Sequence, residues 1–220
     1  DVLLDGELTT VHCANTGSMT NCVVENSPCW LSSAANAKRK YPHTLELVTT
    51  ATGHLAGVNT LRANALVAEA LENKHIPELG LYLRYRREVT IGSNSRADFL
   101  LFPGSADAEV SSAQPRCYLE VKSVTYGLAG GLGLFPDAKS ERACRHLDEL
   151  IAAKARGDDA ALLFCVQHAG IERVAPADQI DPSYGLKLRE ARQSGVKILA
   201  YSCDMSPQAL VLNKPLIVEL

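Results

Sequence analysis

Long hydrophobic runs are missing from this chain of 220 residues: the longest is Ala160–Val166. A membrane-spanning helix needs about 20 consecutive apolar residues, so no helical span is expected. No cationic segment followed by an apolar one opens the sequence, which argues against a secretory signal. Asp1 stands where a Met would, so a native start upstream of it is expected. The seven cysteines include no CxxC pair, so neither a zinc site nor a disulfide framework is signalled. Cys117 beside Tyr118-Leu119 and Cys165 inside LLFCV read as buried free thiols, and a cytoplasmic, reducing compartment follows. The glycines form neither GxxxxGK nor GxGxxG, which excludes the P-loop and dinucleotide patterns. Internal repeats and low-complexity segments are absent too. What remains is a composition of 46% apolar and 21% charged residues, which rules out collagen-like and disordered classes.

A net charge of −3 argues at first against a nucleic-acid partner. Its distribution argues the other way. From Asn26 to Leu45 there is no acidic residue, while Lys38, Arg39 and Lys40 stand together between Trp30 and Tyr41. A basic-aromatic patch on an otherwise acidic chain suits a phosphate backbone, and the acidic remainder can supply metal ligands. A solvated basic turn accounts for the same residues.

Residues 1–57 read as short strands at close spacing. Val2-Leu3-Leu4, the turn Asp5-Gly6 and Leu8–Val11 form a hairpin signal, followed by strands at Cys29–Leu31, Leu45–Thr50 and His54–Val58. A small OB-type β-barrel is the expectation. From residue 58 to 220 the pattern changes. Asn59 or Thr60 caps a helix running to about Lys74. Strands follow at Tyr82–Ile91, Ala97–Phe102 and Cys117–Thr125, and then a glycine-rich stretch, 127–133, that reads as a mobile loop. Asp137 reads as the cap, or else a first-turn acid, of a helix to about Arg156, rather than as a metal ligand. Ala160–His168 is a strand, Pro182–Ser194 a helix and Val196–Ser202 a strand. The order α-β-β-β-α-β-α-β makes an α/β domain, in a chain that is α+β overall.

Chemistry concentrates on the middle strands. Asp98 opens one of them, and Glu120 and Lys122 lie on the next in YLEVKSV. Alternation puts Glu120 and Lys122 on one face, with Leu119 and Val121 on the other. Charged groups within such a strand need partners or a metal. An acidic-x-Lys tripeptide alone says little, since Glu72-Asn73-Lys74 and Asp137-Ala138-Lys139 repeat it at helix ends. Only Glu120-Val121-Lys122 follows a strand bearing its own carboxylate and precedes a helix. Asp98 and Glu120, with a backbone carbonyl and phosphate oxygens, suit Mg²⁺ or Mn²⁺. Lys122 can stabilise charge on a phosphate or help deprotonate water. A surface ion pair between Lys122 and either carboxylate is the plainer account.

On the later helix Lys139, Arg142 and His146 fall within about 60° of one another, suiting a phosphate near the helix N-terminus. An Arg142 paired to an acid and a merely exposed His146 explain the pattern equally. Arg84 and Arg86 share a face with Tyr82 by alternation, and with Arg87 they add charge to the first core strand, either to track DNA or as a solvated edge.

The motifs VHCANTGSM, SRADFLL, CYLEVKSVT and LFPDAKSERACRHLDELI, with GVNTLRANALVAEAL and APADQIDPSYG, make the chain resemble the sugar fermentation stimulation protein family. Its second region resembles the PD-(D/E)xK nuclease core. The resemblance implies an N-terminal OB-fold, a nuclease-like C-terminal domain and DNA binding. It also implies that Asp98, Glu120 and Lys122 are catalytic, joined by Glu69 on the first helix. At 100° per residue Glu69 shares a face with Arg62, Ala65, Glu72 and Asn73, opposite Val67 and Leu71, as a solvated face would too. Departures are Ala14 for a usual Pro, Lys139-Ser140 for Val-Thr, Ala143 for a common Gly, and the lack of a further N-terminal basic stretch. Two functions follow: a largely sequence-nonspecific, Mg²⁺- or Mn²⁺-dependent nuclease, or a non-catalytic DNA-binding regulator of maltose-type sugar metabolism that retains the fold. A metal-binding fold without a nucleic-acid partner is the third.

Overall fold

The computed structural model describes residues 1–34, 38–92, 95–104 and 115–220. The first strands, β1 (Val2–Leu4) and β2 (Glu7–Thr9), form an antiparallel hairpin. Its turn, Asp5-Gly6, holds φ of 52° and 87°, the left-handed pair that a two-residue hairpin turn requires. β3 (Cys29–Ser33), β4 (His43–Thr49) and β5 (Leu55–Gly57) make a three-stranded antiparallel sheet in that order. His12 ties the hairpin side to it: its N–H donates to His43 O at 2.9 Å and its carbonyl accepts Leu45 N–H at 2.8 Å. Cys22, Val48, Ala56 and Val58 form the apolar cluster inside.

The second region begins with α1 (Arg62–Glu72). Asn59 does not cap it directly; its Oδ1 accepts Leu61 N–H at 3.2 Å, just ahead of the helix. Next come β6 (Tyr82–Ile91), β7 (Ser95–Pro103), β8 (Cys117–Val124), β9 (Tyr126–Gly127), β10 (Leu132–Phe135) and α2 (Glu141–Ala155). The chain ends with β11 (Asp159–Val166), β12 (Arg173–Pro176), α3 (Pro182–Gln193), β13 (Lys197–Met205), β14 (Leu210–Pro215) and β15 (Ile217–Val218). Six strands make the main sheet, in the order β14-β13-β11-β8-β7-β6, with β8, β11 and β13 parallel. α2 and α3 pack on one face through Leu147, Leu150, Tyr184 and Leu188; α1 packs on the other through Leu66 and Val67. β11 is buried on both sides, Leu162 and Phe164 toward α2, and Leu163 and Cys165 toward α1. A parallel strand so covered reads as an unbroken apolar run, which is why Ala160–Val166 is one.

Two expectations need correction. The glycine-rich stretch is not a loop: β9 and β10 lie in a second sheet, ordered β15-β12-β10-β9, around a turn in which Gly130 and Gly131 hold φ of 73° and 76°. Asp137 does not cap α2. Ser140 does, its Oγ accepting Ala143 N–H at 3.1 Å, because the helix starts four residues beyond Asp137. Of the cysteines, Cys22, Cys117, Cys165 and Cys203 are buried free thiols, as expected, while Cys13 is exposed. No described helix is long and apolar enough to cross a membrane.

Candidate active site

β7 and β8 pair only as far as Phe99 with Leu119. At the next position Asp98 takes over with its side chain: Oδ2 accepts the Val121 N–H at 2.7 Å. Its other oxygen, Oδ1, accepts from Asn64 Nδ2 of α1 at 2.8 Å. Burial pushes the Asp98 carboxyl up from its ordinary value, and the negative charge of Glu120 pushes it further.

Glu120 is 4% exposed and faces α2, away from Leu119 and Val121 as alternation predicts. Its Oε1 accepts from Lys122 Nζ at 2.6 Å and is hydrogen-bonded to His146 Nδ1. Arg142 Nε donates to His146 Nε2 at 3.4 Å, so the His146 ring bridges Arg142 and the Glu120 carboxylate. Burial pushes Glu120 up, but the hydrogen bond from His146 and the charge of Lys122 outweigh it and hold the carboxyl below its ordinary value.

Asp98, Glu120 and Lys122 line one cleft of about 500 Å³ with Lys139 and Arg142. Residues at the starts of both α1 and α2 line it as well, and a helix N-terminus turns partial positive charge toward an anion. Acids, a lysine and phosphate-attracting groups therefore share one space. Among the described residues no group of three or more His, Cys, Asp or Glu side chains is placed to hold a metal ion. Asp98 and Glu120 are carboxylates of this cleft that could hold a hard divalent cation.

Other predicted residues lie elsewhere. Glu69 is exposed and outside the cleft: it sits roughly 140° around the helix from Asn64, which is the α1 residue that does reach Asp98. His146 is 8% exposed beneath Glu120, so it supports the carboxylate rather than presenting itself to a phosphate. Arg142 keeps the predicted place beside the cleft, while Lys38, Arg39 and Lys40 are exposed between β3 and β4 and do not line it. Lys40 Nζ sits 5.0 Å from the Tyr41 ring. A register shift between Tyr82 and Arg84 breaks the alternation assumed for the edge strand β6. There Arg86 stacks over Phe102 and Arg87 over Tyr85 and Phe99.

Sequence reasoning missed Asn64 and the N-terminal residues Asn15, Thr16 and Gly17, which line the same cleft. Asn15-x-Gly17 was the available signal: Asn15 Oδ1 accepts Gly17 N–H at 2.8 Å, a side-chain turn.

Known proteins share this architecture. The SfsA N-terminal OB domain family matches residues 1–58, and the family described as the sugar fermentation stimulation protein RE domain matches residues 61–209. The sugar fermentation stimulation protein homolog of Saccharophagus degradans is 49% identical over 215 residues, covering 97% of this chain and 88% of that protein. The homolog of Teredinibacter turnerae is 51% identical over 219 residues, covering 100% of this chain and 90% of that one. Among solved structures, Pyrococcus furiosus SfsA in complex with Ca²⁺ matches with a TM-score of 0.82 at 24% identity, over 96% of this chain and 85% of that one. That last likeness speaks to the fold: an OB domain followed by a mixed α/β domain. The pairing of an OB domain with a nuclease-like one supports a DNA-binding role. With both domains matched in order and relatives about half identical along its length, the chain belongs to the sugar fermentation stimulation protein family.

Proposed function

We propose that the protein binds DNA largely without regard to sequence and hydrolyses its phosphodiester bonds with Mg²⁺ or Mn²⁺. The observation that carries this reading is the meeting of Asp98, Glu120 and Lys122 in one cleft. Asp98 and Glu120 would hold the ion. Burial first, and then the charge of Glu120, raise the Asp98 carboxyl, and a divalent cation relieves two such carboxylates. When bound, the ion would activate water and neutralise charge on the phosphate.

The remaining work falls to the chain's own groups. Lys122, held by Glu120, presents an ammonium to charge developing on the phosphate. Lys139 and Arg142 meet the phosphates on either side, helped by the two helix N-termini. His146 fixes the Glu120 carboxylate and is itself fixed by Arg142. The exposed Lys38–Lys40 turn attracts more distant phosphates. The test is incubation of pure protein with DNA, with and without Mn²⁺, alongside identically purified Lys122→Ala. Cleavage by the unmutated protein alone is expected. Equal cleavage by both would point to a co-purifying nuclease; cleavage by neither would leave the DNA-binding regulator as the function.

A further inference from the structure

The cleft also restricts the form of nucleic acid it can take, given the phosphodiesterase reading above. Asn15, Thr16 and Gly17 line it from the N-terminal domain, and this stretch is tethered to the second domain at both ends. At one end Thr60 Oγ1, just before α1, donates to Ala14 O at 3.2 Å. At the other, the Asp137 carboxylate, just before α2, accepts from Ser18 Oγ and from Met19 N–H, each at 3.2 Å. Ser18 Oγ also reaches Asp137 O at 2.9 Å. Gly17 packs so closely there that a Cβ would stand 2.6 Å from Asp137 Oδ2. Beyond it, Asn21 Nδ2 donates to Gly127 O at 3.0 Å. The stretch is thus a strap running from the start of one helix to the start of the other, past the catalytic carboxylates.

The space it bounds, about 500 Å³, falls in the range of roughly 300–1,000 Å³ that houses small organic ligands. One or two nucleotides of a single strand match that scale. A duplex, whose major groove alone is about 12 Å wide, does not. With Glu120 only 4% exposed, a reacting phosphate must descend between the walls. Parting them for a duplex would break the tethers at Ala14 and Asp137. We infer that the Asn15–Gly17 strap limits the cleft to single-stranded DNA: free strands, tails, or a strand lifted out of a duplex. Asn15, Thr16 and Gly17 are then specificity-determining residues, lying against the nucleotide whose phosphate reacts.

The experiment presents one sequence to the full chain in Mn²⁺ as a single strand, a blunt duplex and a duplex with a single-stranded tail. The single strand and the tail should be cut at least roughly tenfold faster than the blunt duplex, about 1.4 kcal/mol in barrier. Releasing both tethers, with Thr60→Val, Ser18→Ala and Asp137→Ala together, should narrow that ratio. A duplex cut as fast as the single strand, or an unchanged ratio in the folded triple variant, overturns the inference. A second readout needs neither cleavage nor the variant. Lys139 is exposed beside the cleft, and its acetylation can be followed by mass spectrometry without metal. The single strand should shield Lys139 and the blunt duplex should not. Shielding by both, or by neither, overturns the strap's role. Failure to cut any substrate removes the phosphodiesterase reading alone, and the shielding of Lys139 still decides the strap.

Discussion

In the first domain the apolar cluster is Cys22, Val48, Ala56 and Val58. In the second, helices cover both faces of a six-stranded sheet with two continuous cores. A domain of about 60 residues buries too little surface to be more than marginally stable, and the seam shows where support comes from. Gly57 N–H donates to Gln167 O at 2.8 Å and Ala169 N–H to Leu55 O at 2.9 Å, so β5 adds to the edge of the second domain as a strand would. Cys22 Sγ donates to Thr125 O at 3.3 Å. Glu46 of β4 accepts from Arg62 Nε and Nη2, at 3.0 and 2.8 Å, and from Asn59 Nδ2 at 3.0 Å. The difference teaches that the small domain is stabilised largely from outside itself. The cleft at the seam is therefore complete only when both domains are folded.

The largest effect is expected at the site proposed for chemistry in the second domain. Lys122→Ala should lower metal-dependent cleavage by at least about 10²-fold while divalent binding, read by calorimetry, persists. Asp98→Asn should lose both, since a neutral amide is a poorer ligand for a hard cation. Retained Mn²⁺ affinity in Asp98→Asn would remove it from the ligand set.

Next come the two cores. Leu147 is fully buried between α2 and the sheet, so Leu147→Ala should destabilise the chain by about 2–5 kcal/mol in urea unfolding. Val48→Ala in the first domain should cost only about 1.5 kcal/mol, from the removal of two methyl groups. Equal losses would contradict the contrast between the domains.

How far the sequence discloses all this depends on distance along the chain. β11 is legible because burial on both faces leaves no polar position, and the apolar stripe of α2, with Ala143, Leu147 and Leu150, is legible from its spacing. That Asp98 lies on a strand next to the one bearing Glu120 and Lys122 is legible from the order of the elements. β9, β10, β12 and β15 are not: they are short, and too brief for alternation to show. Glu69 comes from the resemblance, and helical spacing, which tells which residues share a face but not what that face meets, could not show that it lies outside the cleft. The hydrogen bond of Ser18 with Asp137 joins residues 119 apart, and no local pattern encodes it.

A smaller effect is expected at the first domain's basic turn. Replacing Lys38, Arg39 and Lys40 with Ala should weaken binding to unrelated DNA sequences alike. It should also flatten the salt dependence, by roughly 0.9 in log–log slope for each duplex phosphate that the variant no longer neutralises. A sequence-selective loss would place the DNA-binding surface elsewhere.

The smallest effect concerns the seam. Burial raises Glu46, but the hydrogen bonds from Arg62, Ser32 and Asn59 prevail and hold it below its ordinary value. A carboxyl lowered on folding adds stability above its unfolded value of about 4.3. That contribution is lost as pH falls through the folded value. Because Arg62 is 53% exposed, the contribution is modest. Melting curves of the unmutated protein should therefore decline in acid slightly more than those of Glu46→Gln. Parallel declines would show that Glu46 does not hold the domains together.

Asp98 completes a broken rung: its carboxylate takes the Val121 N–H that β7 leaves without a backbone partner. The side chain proposed to hold metal is for that reason also a piece of the sheet. Truncation to alanine would strand a buried donor, at about 1–3 kcal/mol, and inactivity in such a variant would confound lost chemistry with a loosened strand. The isosteric amide still offers an oxygen to Val121, and Asn64 can rotate its own amide to receive the new N–H₂ group. Experiments on this site should therefore rest on Asp98→Asn, with Asp98→Ala kept as a measure of what the acid does for the architecture.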